Sequence, residues 1–219
     1  MEIYVRGDDI RVSELKVKLG NGHHYIIFKN IEEVSFDNAD VVFDLSLDDY
    51  PEETYKFNIL NVLLIAGTLK CDLMSLSEDF QNKDLIVGLN TLPGFLNRDI
   101  WEMSTLEDKN KEKFKMLFPE LKTQWVKDRV GMVSPRVLAM IINEACFTLE
   151  EGTANVEDID KGMKLGTNYP FGPFEWADKI GVGQIFELLS SLRKDTGDER
   201  FKICPLLKSK ATLKESFYI

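Results

Sequence analysis

The side chains that most often carry acid–base or metal chemistry are few in this chain of 219 residues. Its two histidines, His23 and His24, are neighbours in a segment rich in branched and aromatic residues. Successive side chains of a strand point to opposite faces, so the two imidazoles cannot ligate one metal ion together. The cysteines Cys71, Cys146 and Cys204 are widely spaced and form no CxxC pair. We therefore expect no metal site and reduced thiols, as in a cytoplasmic protein.

A short turn near the start of the chain carries two carboxylates, Asp8 and Asp9, directly after Gly7. A carboxylate at such a position is a good helix N-cap. It also fills the place where a helix N-terminus attracts an anion. It would repel an approaching phosphate by about 4 kcal/mol per charge pair at 4 Å and an effective dielectric of 20. We expect a capped surface turn that holds no nucleotide phosphate.

The elements that position these residues alternate between short apolar segments and helical patterns. The apolar segments predict strands at Glu2–Val5, His24–Phe28, Ala39–Phe43, Leu60–Ile65, Leu85–Gly88, Ile100–Met103 and Gln124–Val126. Helical patterns lie at Val12–Leu19, Glu52–Phe57, Leu73–Phe80 and Glu107–Leu117. Strands separated by helices predict an α/β fold with a parallel, doubly wound sheet.

Composition excludes several classes of partner. The hydrophobic and charged fractions, 44% and 29%, are typical of a globular protein, and the formal net charge is -10. Such a charge disfavours nucleic acid and anionic membranes. No apolar stretch reaches the roughly 18 residues that a membrane span needs, and the first residues lack the pattern of a signal peptide. We expect a cytoplasmic protein that binds neither nucleic acid nor membrane.

From about residue 128 the pattern becomes helical throughout. One predicted helical face carries Leu138, Ile141, Ile142, Ala145 and Leu149. Gly152 is predicted as a left-handed helix end, and Asn155 as the N-cap of the next helix. We expect that helix to end at Gly166, and Pro173 to occupy the first position of another helix.

The stretch from Val130 to Gly181 carries an ordered set of short motifs. They are Asn143-Glu144-Ala145, Glu157-Asp158-Ile159-Asp160, Gly166, Gly172-Pro173-Phe174 and Asp178-Lys179-Ile180-Gly181. In this order and spacing they resemble the C-terminal helical domain of the 3-hydroxyacyl-CoA dehydrogenases of fatty-acid metabolism. The resemblance implies a truncated, degenerate Rossmann-like NAD-binding domain at residues 1–127 and an all-α dimerisation domain at residues 128–219. It also implies a homodimer formed through the helical domain and an acyl-CoA ligand.

The resemblance implies NAD as cofactor, held on a glycine-rich turn between the first strand and the first helix. Gly7 matches the first glycine of that turn, whereas Asp9 and Val12 stand at the second and third positions. The second strand ends at Asn30 without the acidic residue that binds the ribose hydroxyls. We therefore expect the NAD site to be lost.

The catalytic positions that the resemblance implies are also substituted. The family uses a histidine as general base and a glutamate that orients it; here Asn90 stands at the histidine position and Glu102 at the glutamate position. Thr68 lies in the segment of a helping serine, and Pro135 replaces an asparagine. An amide has no usable basicity near neutral pH, and losing a general base typically costs about 10²–10⁴ in rate.

These residues favour a member of the family that keeps the fold, binds an acyl-CoA or a partner protein, and transfers no hydride, that is, a pseudoenzyme. Two alternatives stay open. One is an active NAD-dependent dehydrogenase, an oxidoreductase with an atypical site. The other is a purely structural or regulatory dimer.

Overall fold

The computed structural model describes residues 1–76, 78, 80–81 and 83–218, and the side chain of residue 84 lies outside this description. The chain divides into two compact units, Met1–Val133 and Ser134–Ile219. The predicted domain boundary, between residues 127 and 128, lies slightly before this division, in the segment that precedes the first helix of the second unit.

The first unit is built on one sheet. Among the described residues its strands are β1 (Glu2–Arg6), β2 (His24–Ile27), β3 (Val41–Asp44), β4 (Leu63–Gly67), β5 (Ile86–Leu89), β6 (Ile100–Ser104) and β7 (Lys122–Val126). Their order in the sheet is β2-β1-β3-β4-β5-β6-β7. Every neighbouring pair is parallel except β5 with β6. The predicted α/β class and each predicted strand are confirmed, with shifts of a few residues at the ends.

Both faces of the central strands β3, β4 and β5 are buried, which explains their nearly continuous apolar runs. Ile3, Val5 and Phe43 belong to the core on one face, while Tyr4 and Val42 belong to the core on the other. The register Tyr4 to Val42 and Val5 to Phe43 keeps each set on its own side. This rigid centre fixes the carboxyl ends of β1 and β3, where the predicted turn lies.

The helices of the first unit are α1 (Asp9–Leu19), α2 (Leu73–Leu76) and α3 (Lys109–Leu117). Shorter 3₁₀ helices span Ile31–Glu33, Leu47–Asp49, Pro51–Ile59 and Lys83–Leu85. The predicted helix over Glu52–Phe57 is therefore a 3₁₀ helix, and the hydroxyl of Thr54 follows the same three-residue spacing by donating to Pro51 O at 2.7 Å. The predicted helix over Leu73–Phe80 is present through Leu76; residues 77 and 79 lie outside the described residues.

The second unit is all-α. Its helices are α4 (Ser134–Glu150), α5 (Val156–Thr167), α6 (Pro173–Ile180), α7 (Val182–Thr196) and α8 (Pro205–Leu213). Gly152 has the predicted left-handed conformation, with φ +72°. The expected end at Gly166 is wrong, because α5 continues to Thr167 and Asn168 takes the left-handed position with φ 58°. Asparagine is one of the few residues with a side chain that tolerates this conformation. In the described part of the chain no helix is long and apolar enough to cross a membrane.

Candidate functional site

The first unit carries a pocket at the point where the sheet reverses its winding. Because β1 lies between β2 and β3, the connections from β1 leave in opposite directions, and ligands of doubly wound sheets bind at such a point. A cavity of about 600 Å³ opens there. Its lining comes from the turn after β1, from the end of β2, and from the segment after β3; it includes Arg6, Gly7, Asp8, Arg11, Phe28, Lys29, Asn30, Ser46, Asp49, Tyr50 and Glu53.

The turn after β1 is capped by Asp8, as the sequence predicts. Asp8 precedes α1, and its carboxylate accepts from Arg11 N at 2.9 Å and from Arg11 Nε at 2.6 Å. Partial burial raises the pKa of Asp8, but the hydrogen bonds and charge of Arg11 outweigh it and hold the pKa below its ordinary value. Asp9 is the exposed first residue of α1. The helix N-terminus is thus already bound to a carboxylate of its own chain.

Two buried arginines complete this region, and sequence reasoning missed both. The Arg11 side chain donates to the backbone oxygen of Leu45 and to Asp49 Oδ2, the latter at 3.3 Å. Arg6 donates to Asp44 Oδ2 from Nε at 2.9 Å and from Nη2 at 2.5 Å, and also to Glu53. Both arginines are at most 6% exposed.

These arginines correct the expected electrostatics of the turn. The sequence argument assigned an uncompensated negative charge to Asp8, whereas Arg11 pairs with it directly. An available signal was the spacing of Asp8 and Arg11, which places them one helical turn apart. A second signal was Arg6, a charged residue that directly follows the apolar segment Ile3-Tyr4-Val5 at the end of β1.

The expected cofactor positions Gly7 and Asn30 both make contacts within the chain itself. A Cβ on Gly7 would lie 3.1 Å from Leu45 Cβ and 3.5 Å from Val12 Cγ2, so Leu45 and Val12 pack closely against this glycine. Asn30, at the ribose position, accepts from Glu32 N and donates to Glu33, both at 3.1 Å. Its amide therefore caps the Ile31–Glu33 helix.

The predicted catalytic positions Asn90 and Glu102 do lie together. Asn90 is 3% exposed, and its backbone N–H donates to Glu102 O at 3.0 Å. Its side-chain oxygen accepts from Leu92 N at 3.1 Å, which makes an Asx turn at the end of β5. The Glu102 carboxylate accepts from Val133 N. Both side chains therefore accept hydrogen bonds from backbone N–H groups.

Thr68, the third predicted position, belongs to a buried cluster of hydroxyl groups. A Cβ on Gly88 would overlap both Thr68 Oγ1 and Ser104 Oγ, so these two oxygens flank the same glycine. Ser104 Oγ donates to Asp128 Oδ1 at 3.3 Å, and Asp128 also accepts from Leu73 N and Met74 N at 2.9 and 3.0 Å. Burial raises the pKa of Asp128. Ser104 and Asp128 were not predicted from the sequence.

The fourth predicted position, Pro135, lies in the second unit, buried in the first turn of α4. The ring fits there because a first-turn N–H has no helical partner to lose. Its side chain has no hydrogen-bonding group, so it cannot do the work of an asparagine amide.

The motif residues of the second unit hold its helices together. Asn143 donates to Lys202 O and accepts from Cys204 N, both at 2.9 Å. The carboxylate of Asp178 accepts from Phe217 N and Tyr218 N, both at 2.8 Å. Asn143 and Asp178 therefore each tie two segments of this unit together.

Asp44, the buried partner of Arg6, is expected to make the stability of the folded chain depend on pH. Burial raises the pKa of Asp44 to about 6, and Arg6 limits the rise. The folded state thus binds this proton more tightly than the unfolded state, so the contribution to stability is complete below the ordinary value of 3.8 and is lost as the pH rises through 6. Relative to Asp44→Asn, we expect the free energy of unfolding of the unchanged protein to fall by up to about 3 kcal/mol over this range, at about 1.4 kcal/mol per pKa unit. Urea unfolding at several pH values measures the difference, and a flat or rising profile would contradict the expectation.

Comparison with known proteins concerns mainly the second unit. Residues 131–216 match the family described as 3-hydroxyacyl-CoA dehydrogenase, C-terminal domain. The chain is 42% identical over 92 residues to a 3-hydroxyadipyl-CoA dehydrogenase of Escherichia coli. The matched stretch covers 42% of this chain and 19% of that protein. It is 26% identical over 181 residues to a 3-hydroxybutyryl-CoA dehydrogenase of Clostridioides difficile, covering 78% of this chain and 64% of that protein. The chain thus spans less than two thirds of the length of these relatives.

Some solved structures resemble this chain in fold over nearly all of its residues. The (S)-3-hydroxybutyryl-CoA dehydrogenase of Ralstonia eutropha has a TM-score of 0.78 at 18% identity, covering 100% of this chain and 98% of that chain. FadB2 of M. tuberculosis has a TM-score of 0.80 at 14% identity, covering 99% and 97%. At such identities the likeness establishes the fold alone.

Proposed function

Because this chain belongs to the 3-hydroxyacyl-CoA dehydrogenase family, we propose that it serves acyl-CoA metabolism as a member that no longer transfers hydride. The observation that carries the proposal is the turn after β1. There the Asp8 carboxylate already accepts from the backbone N–H and the guanidinium of Arg11, the kind of donors that a pyrophosphate would need, and Leu45 packs against Gly7. A dehydrogenase that cannot hold NAD has no hydride acceptor.

The position of the general base supports the same proposal. Asn90 is an amide, and its oxygen is already bonded to Leu92 N in an Asx turn. An amide cannot take the proton of a hydroxyl group at neutral pH. Glu102 lies beside it, but its carboxylate accepts from Val133 N.

The ligand that we propose is an acyl-CoA, and the assembly is a homodimer formed through the second unit, in the cytoplasm. Support for the ligand comes from the relatives, whose names specify 3-hydroxyadipyl-CoA and 3-hydroxybutyryl-CoA. Support for the dimer comes from exposed apolar side chains of the second unit: Val137, Leu165 and Leu213 are 54, 77 and 62% exposed.

We expect this protein to show no saturable binding of NADH at millimolar concentration. Nicotinamide fluorescence measures the binding, with the Clostridioides difficile 3-hydroxybutyryl-CoA dehydrogenase as a positive control. With NAD and 3-hydroxybutyryl-CoA we expect a rate at least about 10²–10⁴-fold below that of the control, since the general base is absent. Micromolar NADH affinity with ordinary turnover would establish the active-dehydrogenase alternative instead.

A second measurement separates the acyl-CoA proposal from a purely structural dimer. A ligand that binds only the folded state raises its melting temperature, by an amount that grows with ligand concentration. We expect acetoacetyl-CoA to raise the melting temperature of this protein and free CoA to raise it less. Equal melting temperatures with and without acetoacetyl-CoA would favour the structural role.

A further inference from the structure

We propose that the edge of the sheet at β2 pairs with β2 of a second copy of this chain, the two strands running antiparallel about a two-fold axis at Ile26. The pairing joins two seven-stranded sheets into one. It is a second interface, formed by the first unit, and it goes beyond the homodimer proposed for the second unit. It holds whether or not the chain binds NAD.

The first support is a strand position that this sheet leaves vacant. The classic doubly wound sheet has the order 3-2-1-4-5-6, so its third strand covers the outer side of the second. Here the described residues between β2 and β3 contain only the 3₁₀ helix Ile31–Glu33, and β3 pairs with β1 instead. β2 is therefore an edge strand. An uncovered edge is a template for a strand of another chain.

The second support is the direction of the backbone groups along this edge. The N–H groups of His24 and Phe28 donate to β1, at 2.9 and 3.0 Å. Because these groups alternate in direction along a strand, Tyr25 and Ile27 direct their N–H and C=O groups away from β1. An antiparallel copy centred on Ile26 places Tyr25 opposite Ile27 of the second copy. Such a pair exchanges two hydrogen bonds, so each copy satisfies all four outward groups of the other.

The third support is an apolar surface beside the same edge. Ile10 and Val17, seven residues apart on one side of α1, are 60 and 73% exposed, and Ile27 of β2 is 45% exposed. Val17 and Ile27 line a groove of about 420 Å³ together with Val12. α1 covers β1 and β2, since Val12 and Tyr25 pack in one core. With paired strands about 4.8 Å apart, the two α1 helices approach to about 10 Å, near the usual packing distance of helices.

The fourth support is the charge pattern of this surface. Asp9 and Lys16 line the groove at opposite ends of the apolar stripe. In the described part of the chain neither belongs to an ion pair, although the Lys16 ammonium lies over the Tyr25 ring. The two-fold axis makes the two α1 helices antiparallel. The Asp9–Ile10 end of one copy therefore lies beside the Lys16–Val17 end of the other, so that opposite charges and apolar side chains meet across the axis.

Val17→Lys and Ile27→Lys test the interface in the full chain. Each places a charge in the apolar contact, one from α1 and one from β2, at a side chain that is exposed in the single chain. Light scattering at matched concentrations measures the molar mass, against 25.1 kDa for one chain. We expect each variant to have at most half the mass of the unchanged protein. Met116→Lys is the matched control, because Met116 is 78% exposed on α3, and it should keep the full mass.

Charge reversal tests the antiparallel arrangement of the helices. Asp9→Lys and Lys16→Asp each replace two attractive charge pairs across the axis by two repulsive ones. We expect either change to weaken association about tenfold at low ionic strength, as for exposed ion pairs. The double variant Asp9→Lys/Lys16→Asp restores the opposite charges and should recover the affinity. Equal weakening by the double variant would contradict this arrangement.

A cysteine at the axis tests the register of the strands. Ile26 faces its own counterpart there, as a non-hydrogen-bonded pair with Cα atoms about 4.5 Å apart, within the range of a disulfide. In a Cys71→Ser background, Ile26→Cys should yield a chain linked to a second chain after oxidation by oxidised glutathione. Lys29→Cys, three residues from the axis and remote from its counterpart, should not. Equal yields of linked chains would overturn the register.

Two results would overturn the pairing itself: a Val17→Lys or Ile27→Lys protein with the mass of the unchanged protein, and a loss of mass in Met116→Lys as large as theirs. If Ile27→Lys does not melt cooperatively, Val17→Lys decides. A fall to two chains means that the proposed dimer of the second unit persists. A fall to one chain means that this dimer does not form, although the β2 pairing does. The two interfaces therefore fail in distinguishable ways.

Discussion

Arg6→Met is expected to lower the free energy of unfolding of the first unit by about 3–5 kcal/mol, because it leaves a buried carboxylate without its partner. Asp44 is fully buried, and Arg6 donates to its Oδ2 at 2.9 and 2.5 Å. Methionine keeps the length and packing of the aliphatic part of the side chain. Urea unfolding near neutral pH measures the loss of stability. Hydrogen exchange of the backbone amides of β1 and β3 assigns that loss to the first unit.

The matched control for Arg6→Met is the double variant Arg6→Met/Asp44→Leu. Replacing a whole buried ion pair by apolar residues of similar volume is often neutral or stabilising, so we expect the double variant to recover most of the loss. Glu53→Gln removes the partly exposed partner of the same arginine and should cost about 1 kcal/mol or less. A single variant as stable as the unchanged protein would show that Arg6 and Asp44 are not held as a buried pair.

Gly172→Ala is expected to destabilise the second unit by about 3–5 kcal/mol. A Cβ at this position would overlap the side chain of Asp160. Asp160 cannot move away cheaply, because its carboxylate accepts from Phe174 N at 2.8 Å, Glu175 N at 3.0 Å and the Tyr218 hydroxyl at 2.9 Å. Overpacking costs about 1–3 kcal/mol, and each lost hydrogen bond to a charged group costs about 1.5–3 kcal/mol. Thermal unfolding and amide exchange of α6 measure the effect.

Gly162→Ala provides the control for Gly172→Ala. It is the same change within α5, at a glycine whose added Cβ would meet nothing within 4 Å. Alanine favours a helix interior over glycine by about 0.5–1 kcal/mol, so a small gain is expected. Equal losses in both variants would mean that contact with Asp160 is not the reason for the glycine at position 172.

The sheet could be predicted from the sequence because its signal is local. The central strands β3, β4 and β5 are short segments of mainly apolar residues, and burial on both faces makes them stand out. The cap at Asp8 was predictable for the same reason, since an N-cap and the helix that it precedes are adjacent in the chain. The predicted end of α5 at Gly166 failed because glycine and asparagine compete for the left-handed position, and here Asn168 takes it.

The candidate site was only partly predictable. Asn90 and Glu102 were recognised as neighbours because family resemblance supplied their spacing. Ser104 and Asp128 were not, because their contact depends on how the ends of different strands meet. The same holds for Arg6 and Asp44, which are 38 positions apart in the chain.

The sequence by itself determined the residue types at the turn after β1: a single glycine, two carboxylates and a valine, and an amide in place of a basic side chain at position 90. Only the tertiary structure decided what those carboxylates do. Parallel pairing of β1 with β3 brings Asp44 and Leu45 beside the turn, where they bind Arg6 and Arg11. Arg11, held in this way, balances the negative charge of Asp8. The physical reason is that charge pairing depends on distance in space, whereas the sequence specifies only distance along the chain.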